Sequence, residues 1–266
     1  MTSEKAKENS RLARQQPLTP AGNEEAKRLF RLAIDEDIDY MPAYAEFSYV
    51  WLRECENGWG ESSNALGEAE RLADKAVELS KDETKGWLND FRALWYRAMV
   101  TWHQNDFAKS LQEYNDARAL ISNPEWINKN TAELDADMAE ALIYFGDPKR
   151  AIQLVLDAME LYPEHPYWFH WILARGYYQA GRYQDAVDEI EKIEADKKPN
   201  DVRLIVAASL AQIATTDSML NEAKALMKEF SDIEPTWTLA KSAAYPYDSA
   251  SERYHWIDGL RKAGLQ

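Results

Sequence analysis

The sequence predicts an all-α chain built as a stack of helix–turn–helix units, on three observations. The stretch from His165 to Ile193 reads as two helices back to back. Leu173, Ala174 and Tyr177 share one face of the first, Gly181 breaks it, and Tyr183, Ala186, Ile190 and Ile193 share one face of the second. The same grammar recurs at a fixed interval: Gly146 and Gly181 are 35 residues apart, as are Ala151 and Ala186. Ala223 follows Ala186 after 37 residues, and Pro163 and Pro235 each stand just beyond a second helix. A helix pair cannot bury its apolar face alone; a small residue at the crossing lets two helices approach, and the next pair covers the rest.

The elements follow in order. Residues 1–19 carry isolated Leu12 and Leu18 and two prolines, which predicts a poorly ordered or degenerate N-terminal segment. Glu24–Asp35 places Ala26, Phe30 and Ala33 on one face, and Pro42–Glu54 does the same with Tyr44, Phe47 and Trp51 behind a first-turn proline. Residues 55–63, with Trp59 between two glycines, predict a long loop before Leu66–Ser80. Trp59 at its tip either folds back onto the array or contacts a ligand. Lys85–His103 is expected as one long aromatic helix, followed by Phe107–Ile121 and a second long connection around Pro124 and Trp126. Leu134–Phe145 then ends at Gly146, Asp147 caps the next helix and Pro148 opens it. After the His165–Ile193 pair come Val202–Thr215 and Met219–Phe230. A tail over 236–266 contains a break at Pro246 and a last helix presenting Tyr254, Ile257 and Leu260, stopped by Gly264.

A repeat of this length, with small residues at the crossings and Pro at the end, resembles the tetratricopeptide repeat over roughly residues 20–235. In one unit Leu173, Ala174, Tyr177, Gly181, Tyr183, Ala186, Ile190 and Ile193 match its pattern. In the unit before, Met138, Ala139, Leu142, Gly146, Ala151, Val155, Ala158 and Pro163 do so. The resemblance implies a right-handed superhelical solenoid of about six units with a C-terminal capping helix. Arg97, where an inner-face Leu is expected, and Ser110, in place of Ala, depart from the pattern. A narrower likeness runs from the His165 stretch to the closing GLRKAGL: it is similar to the repeat arrays of bacterial adenylate/guanylate cyclase-like proteins and winged-helix regulators. That likeness implies bacterial origin and a sensory or scaffolding role. No cyclase or winged-helix activity is carried over, since neither domain precedes residue 20, and the chain is either free-standing or the array of a larger protein.

Composition narrows the function. Hydrophobic residues at 45% supply a core, while a net charge of −15 argues against nucleic-acid and anionic-membrane partners, which need clustered Lys and Arg. Cys55 is the only cysteine, which excludes an internal disulfide and suits a reducing cytoplasm. No signal-peptide core or membrane-spanning run is read. His103, His165, His170 and His255 fall in no metal-binding spacing, and no nucleophile–base set or phosphate loop occurs, so neither enzymatic activity nor a cofactor or metal is expected.

Binding is the expected activity. In such a superhelix the first helix of each pair lines the concave side. Its non-core face gives Arg92, Trp95, Met99, Trp102 and His103 from one helix, Glu140 and Tyr144 from the next, Trp168, Trp171, Arg175 and Tyr178 from the third, and Gln212 from the fourth. Large aromatics on a non-core face need a cover. A protein segment stacked on the tryptophans, with Arg92 and Arg175 pairing a carboxylate or a ring, is the first expectation. The alternative is a sensor holding a small apolar or aromatic ligand in the same groove, closed by the 55–65 loop. The tail helix or the Trp59 loop covering the groove itself is the plainer possibility. Arrays that grip a C-terminal carboxylate carry Lys and Asn here, so that partner is not expected.

Overall fold

The computed structural model describes residues 3–60, 62–124 and 127–266, with the side chains of residues 62 and 63 left out. Trp126 therefore lies outside the described residues. The chain divides into two compact units, residues 1–122 and 123–266. Among the described residues the fold is helix and turn without strand.

Unit 1 is three helix pairs: α1 (Glu4–Arg14) with α2 (Pro20–Glu36), α3 (Met41–Asn57) with α4 (Ser62–Lys81), and α5 (Phe91–His103) with α6 (Phe107–Leu120). Within residues 1–19, expected as poorly ordered or degenerate, residues 4–14 form the helix α1, paired with α2. Its buried stripe is Ala6, Ser10 and Ala13, small residues at helical spacing that the search for large apolar side chains passes over. Ser3 caps it by accepting from the Ala6 N–H at 3.4 Å, and the Ser3 N–H donates to Asp37 at 3.1 Å, which ties the helix start to the end of α2. The loop expected over 55–63 is shorter: residues 55–57 and 62–63 are helix, and residues 58–60 keep a turn. α3 runs to Asn57, Gly58 closes it at φ 61°, and the half-buried Trp59 donates its backbone N–H to the Glu54 carbonyl at 3.1 Å. Residues 85–90, expected as helix, form a turn with Gly86 and Asn89 at positive φ, and α5 starts only after its cap Asp90. At the α5–α6 crossing the buried Ser110 hydroxyl donates to the Ala98 carbonyl at 2.8 Å, so serine stands where the repeat pattern expects alanine with its polar atom satisfied.

Unit 2 repeats the plan with α7 (Ile127–Phe145) and α8 (Pro148–Leu161), α9 (Trp168–Gln179) and α10 (Tyr183–Glu191), α11 (Val202–Ile213) and α12 (Asp217–Ile233). α7 begins about two turns before the expected Leu134, because the polar stretch Ile127–Glu133 hides its first turns. The turn chemistry is as read: Gly146 and Gly181 adopt φ 93° and 74°, and Asp147 accepts from the Arg150 N–H at 3.2 Å. Leu173, Ala174, Tyr177, Ala186, Ile190 and Ile193 are all buried.

Beyond α12, the short α13 (Leu239–Ala243) leads through Tyr245-Pro246-Tyr247 into α14 (Ala250–Ala263), stopped by Gly264 at φ 104°. α14 packs on α11, α12 and α9. It buries Trp256, Ile257, Leu260 and Ala263, whereas Tyr254, expected on that face, is 64% exposed. Among the described residues no helix is long and apolar enough to cross a membrane.

Candidate functional site: two inner faces

The first helices of the pairs carry the predicted residues, and the two units treat them differently. In unit 1, Glu46, Tyr49, Arg53 and Glu56 of α3 lie on one stripe, at i, i+3, i+7 and i+10, away from the buried Tyr44 and Phe47. Arg92, Trp95, Tyr96, Met99 and His103 of α5 lie on another. An aromatic ladder connects them. Phe91 stacks on Trp95 at 6.0 Å, Trp95 on Tyr96 at 5.9 Å, and Tyr96 tilts against Tyr49 at 5.9 Å, with the Arg53 guanidinium 5.5 Å from the Tyr49 ring. These rings are all half-buried, as are Arg53 and Arg92.

Charges frame this face. Arg14 grips Glu46 with two bonds of 2.7 and 2.8 Å, and Arg92 grips its own helix cap Asp90 at 2.6 and 2.9 Å. Burial pushes the Glu46 carboxyl up, against the downward pull of Arg14 and Arg92. The expectation of an exposed α5 wall is corrected at two positions. Met99 and Trp102 are buried, at 8% and 2% exposure. His103 is held in place, with Nδ1 2.8 Å from the Met99 carbonyl and Nε2 3.1 Å from Glu56. Of the α5 residues named from sequence, Arg92 and Trp95 remain on the half-exposed face. Glu46, Tyr49 and Arg53 escaped sequence reading, although their spacing on the second stripe of α3 was available to find them.

In unit 2 the predicted wall is covered by the chain's own tail. Arg175 is 8% exposed, and its guanidinium lies 5.0 Å from the Trp171 ring, 5.1 Å from Tyr144, 5.3 Å from Trp256 and 5.5 Å from Tyr245. The carboxylates of the half-buried Glu140 and Asp201 couple to the same charge. Burial pushes the Asp201 carboxyl up while Arg175 and the Trp171 indole pull it down. Tyr144 and Tyr178 are fully buried, which corrects their placement on an open wall. The Tyr178 hydroxyl donates to the His255 carbonyl of α14 at 3.0 Å. Gln212 reaches the Tyr178 hydroxyl at 3.5 Å and Asp258 at 3.3 Å, and accepts from Lys262 at 2.8 Å. Trp168 is half-buried, edge-on to Phe169 at 4.4 Å. Sequence reading missed Tyr245, Tyr247 and Trp256, which the aromatic density of the tail signalled.

His255 fastens α14 to the pair beneath it. Its ring stacks on Tyr178 at 4.8 Å, and Nε2 lies 2.8 Å from the Tyr183 hydroxyl. Burial pushes the Tyr183 phenol up, so near neutrality it is the donor and His255 the neutral acceptor. Burial and Lys262 push His255 below its ordinary value of 6.5, with Asp258 opposing. At pH 7.5 the imidazole is neutral folded or unfolded, so it adds no pH dependence. Below 6.5 the unfolded chain takes up the proton first, and stability falls until the lower folded value is passed. In urea unfolding, the unaltered protein should therefore lose more stability than His255→Gln between pH 7.5 and 5.5. Equal losses would remove His255 from the account.

Two further features bear on chemistry. Among the described residues no group of three or more His, Cys, Asp or Glu is placed to hold a metal ion. In unit 1 a shallow cleft of about 240 Å³ lies between α2, α3 and α4, floored by Tyr44, Phe47 and Trp51 and rimmed by Arg31 and Arg71. None of the binding residues predicted from sequence lines it.

Stacked antiparallel helix pairs with aromatic inner faces define a helical repeat protein of the interaction or scaffold class. The family model for the tetratricopeptide repeat matches residues 136–202, the segment that holds both in-phase sequence units. That match places tetratricopeptide-type repeats in residues 136–202, and the other helix pairs of the chain share their fold. Its fold is similar to the Pseudomonas aeruginosa protein pilF, with a TM-score of 0.54 and 14% identity over 88% of this chain and 94% of that one. It is also similar to the APC/C hetero-tetramer Cut9–Hcn1, with a TM-score of 0.62 and 13% identity over 96% of this chain and 45% of that one. A third likeness is to a signal transduction ATPase with a tetratricopeptide repeat sensor from Pyrococcus horikoshii, with a TM-score of 0.52 and 18% identity over 97% and 44% of the two chains. A search of curated protein sequences finds no match.

Proposed function

We propose that the protein is a non-catalytic interaction module that holds a segment of another protein on the inner face of unit 1. The observation that carries this reading is the half-exposed ladder of Trp95, Tyr96 and Tyr49, with Arg53 over its end. These rings are half-buried beside arginines, and aromatic and arginine anchors dominate protein interfaces. The sensor alternative would close with a shorter loop than expected, since residues 55–57 are the last turn of α3.

Binding of the cognate protein should weaken at least tenfold, roughly 1.4 kcal/mol, in Trp95→Ala and in Tyr49→Ala, with helicity unchanged. Calorimetric titration of each variant measures this. Retained affinity in both variants would sink the proposal.

A further inference from the structure

We infer that the cleft between α2, α3 and α4 is a site for a free aromatic amino acid, held by its ring, its carboxylate and its ammonium group. It is a second site, apart from the one the proposed function uses. α3 turns Tyr44, Phe47 and Trp51 to the cleft, at i, i+3 and i+7, and carries Glu46, Tyr49 and Arg53 on its opposite side.

The floor is aromatic and fixed. Phe47 stacks on Phe30 at 5.8 Å and tilts against Trp51 at 6.3 Å. The Tyr44 hydroxyl donates to the Ile38 carbonyl at 3.0 Å, so its polar atom is already engaged. The Lys27 ammonium lies 3.6 Å from the centre of the Trp51 ring, held there by Glu24 at 2.8 Å and by Glu54. A floor of rings takes a flat apolar group, ring against ring.

The rim supplies the charges. Arg71 is closed by Glu68 at 2.8 Å. Arg31 and Asp35, exposed and one turn apart on α2, make no ion pair among the described residues, with each other or with a third group. The Arg31 guanidinium lies 5.8 Å from the Phe47 ring. The rim thus offers one open cation and one open anion beside an aromatic floor. A guanidinium pairs a carboxylate and a carboxylate pairs an ammonium, and an α-amino acid carries both of those groups on the carbon next to its side chain. Size agrees. The cleft holds about 240 Å³, below the roughly 300 Å³ at which sites for drug-sized ligands begin, so it takes one ring with a short charged head.

Calorimetric titration of the full chain tests this with four probes: L-phenylalanine, hydrocinnamate (which lacks the ammonium), phenethylamine (which lacks the carboxylate) and L-alanine (which lacks the ring). L-phenylalanine should bind saturably, and each of the other three about tenfold more weakly or not at all. Arg31→Gln and Asp35→Asn should each weaken L-phenylalanine about tenfold. Arg28→Gln, on the same helix but outside the cleft, should leave it unchanged. The inference is overturned if L-phenylalanine, L-tyrosine and L-tryptophan all fail to bind saturably. It is equally overturned if hydrocinnamate or phenethylamine binds as tightly as L-phenylalanine, or if a folded Arg31→Gln or Asp35→Asn keeps full affinity. The comparison of probes uses the unaltered chain, so it decides the matter even where a variant does not fold.

Discussion

Arg175→Ala is expected to lower the stability of the protein by about 3 kcal/mol, a fall of roughly 6–12 °C in melting temperature for a chain of this size. The side chain is 8% exposed and its guanidinium sits among four rings at 5.0–5.5 Å. Each cation–ring contact is worth about 0.5–2 kcal/mol when desolvated, and the four share one charge, so they do not add in full. Truncation also removes the aliphatic stem and leaves a void lined by Tyr144, Trp171, Tyr245 and Trp256. Arg175→Met keeps most of the volume and should cost less, so the two melting curves together separate packing from charge. An unchanged melting temperature in Arg175→Ala would contradict the cage as a structural element.

Arg97→Ala should cost about 2–3 kcal/mol, because it leaves polar groups behind in a buried place. Arg97 donates to Asp74 at 2.6 Å and to the Thr101 hydroxyl at 2.5 Å, and Thr101 donates on to Glu113 at 2.6 Å. This chain links α4, α5 and α6. Burial pushes the Glu113 carboxyl up, with Thr101, Arg97 and Lys109 pulling it down. Without Arg97 the carboxylate keeps its desolvation and loses the nearest cation of α5. Arg97→Leu, which restores the residue the repeat pattern expects, should therefore also destabilise. Arg97→Leu combined with Glu113→Leu should recover most of the loss, since both halves of the network are then gone. Urea unfolding of the unaltered protein, Arg97→Leu, Glu113→Leu and the double variant closes the cycle. A double variant no more stable than Arg97→Leu alone would contradict the coupling.

The fold was legible because its signals are local. Gly146-Asp147-Pro148 specifies a stop, a cap and a start in three residues, and the structure uses each in that role. α1 was not legible, since a stripe of Ala6, Ser10 and Ala13 carries little hydrophobic contrast although it buries well. Nor was the turn before α5. Its aromatic content suggested helix, while Gly86 and Asn89 at positive φ take the backbone elsewhere.

Helical geometry grouped Tyr144, Arg175, Tyr178 and Gln212 on one face, and the structure does bring them together. What covers them is a long-range fact. Tyr245 is 70 residues from Arg175, and nothing at Arg175 announces it. In unit 1, Met99 and Trp102 were read as exposed because a 3.6-residue period alone does not say how far a helix is rolled into its neighbours.

The central claim is that the two inner faces differ: that of unit 1 is available to another protein, and that of unit 2 is filled by the chain's own tail. Photo-crosslinking from a benzoylphenylalanine placed at Trp95 or at Tyr178, with the cognate protein present, tests it in one experiment. The account predicts that Tyr178 yields only an intrachain link to the 245–266 segment, and that Trp95 yields an adduct with the other protein. An intermolecular adduct from Tyr178, with none from Trp95, would contradict it.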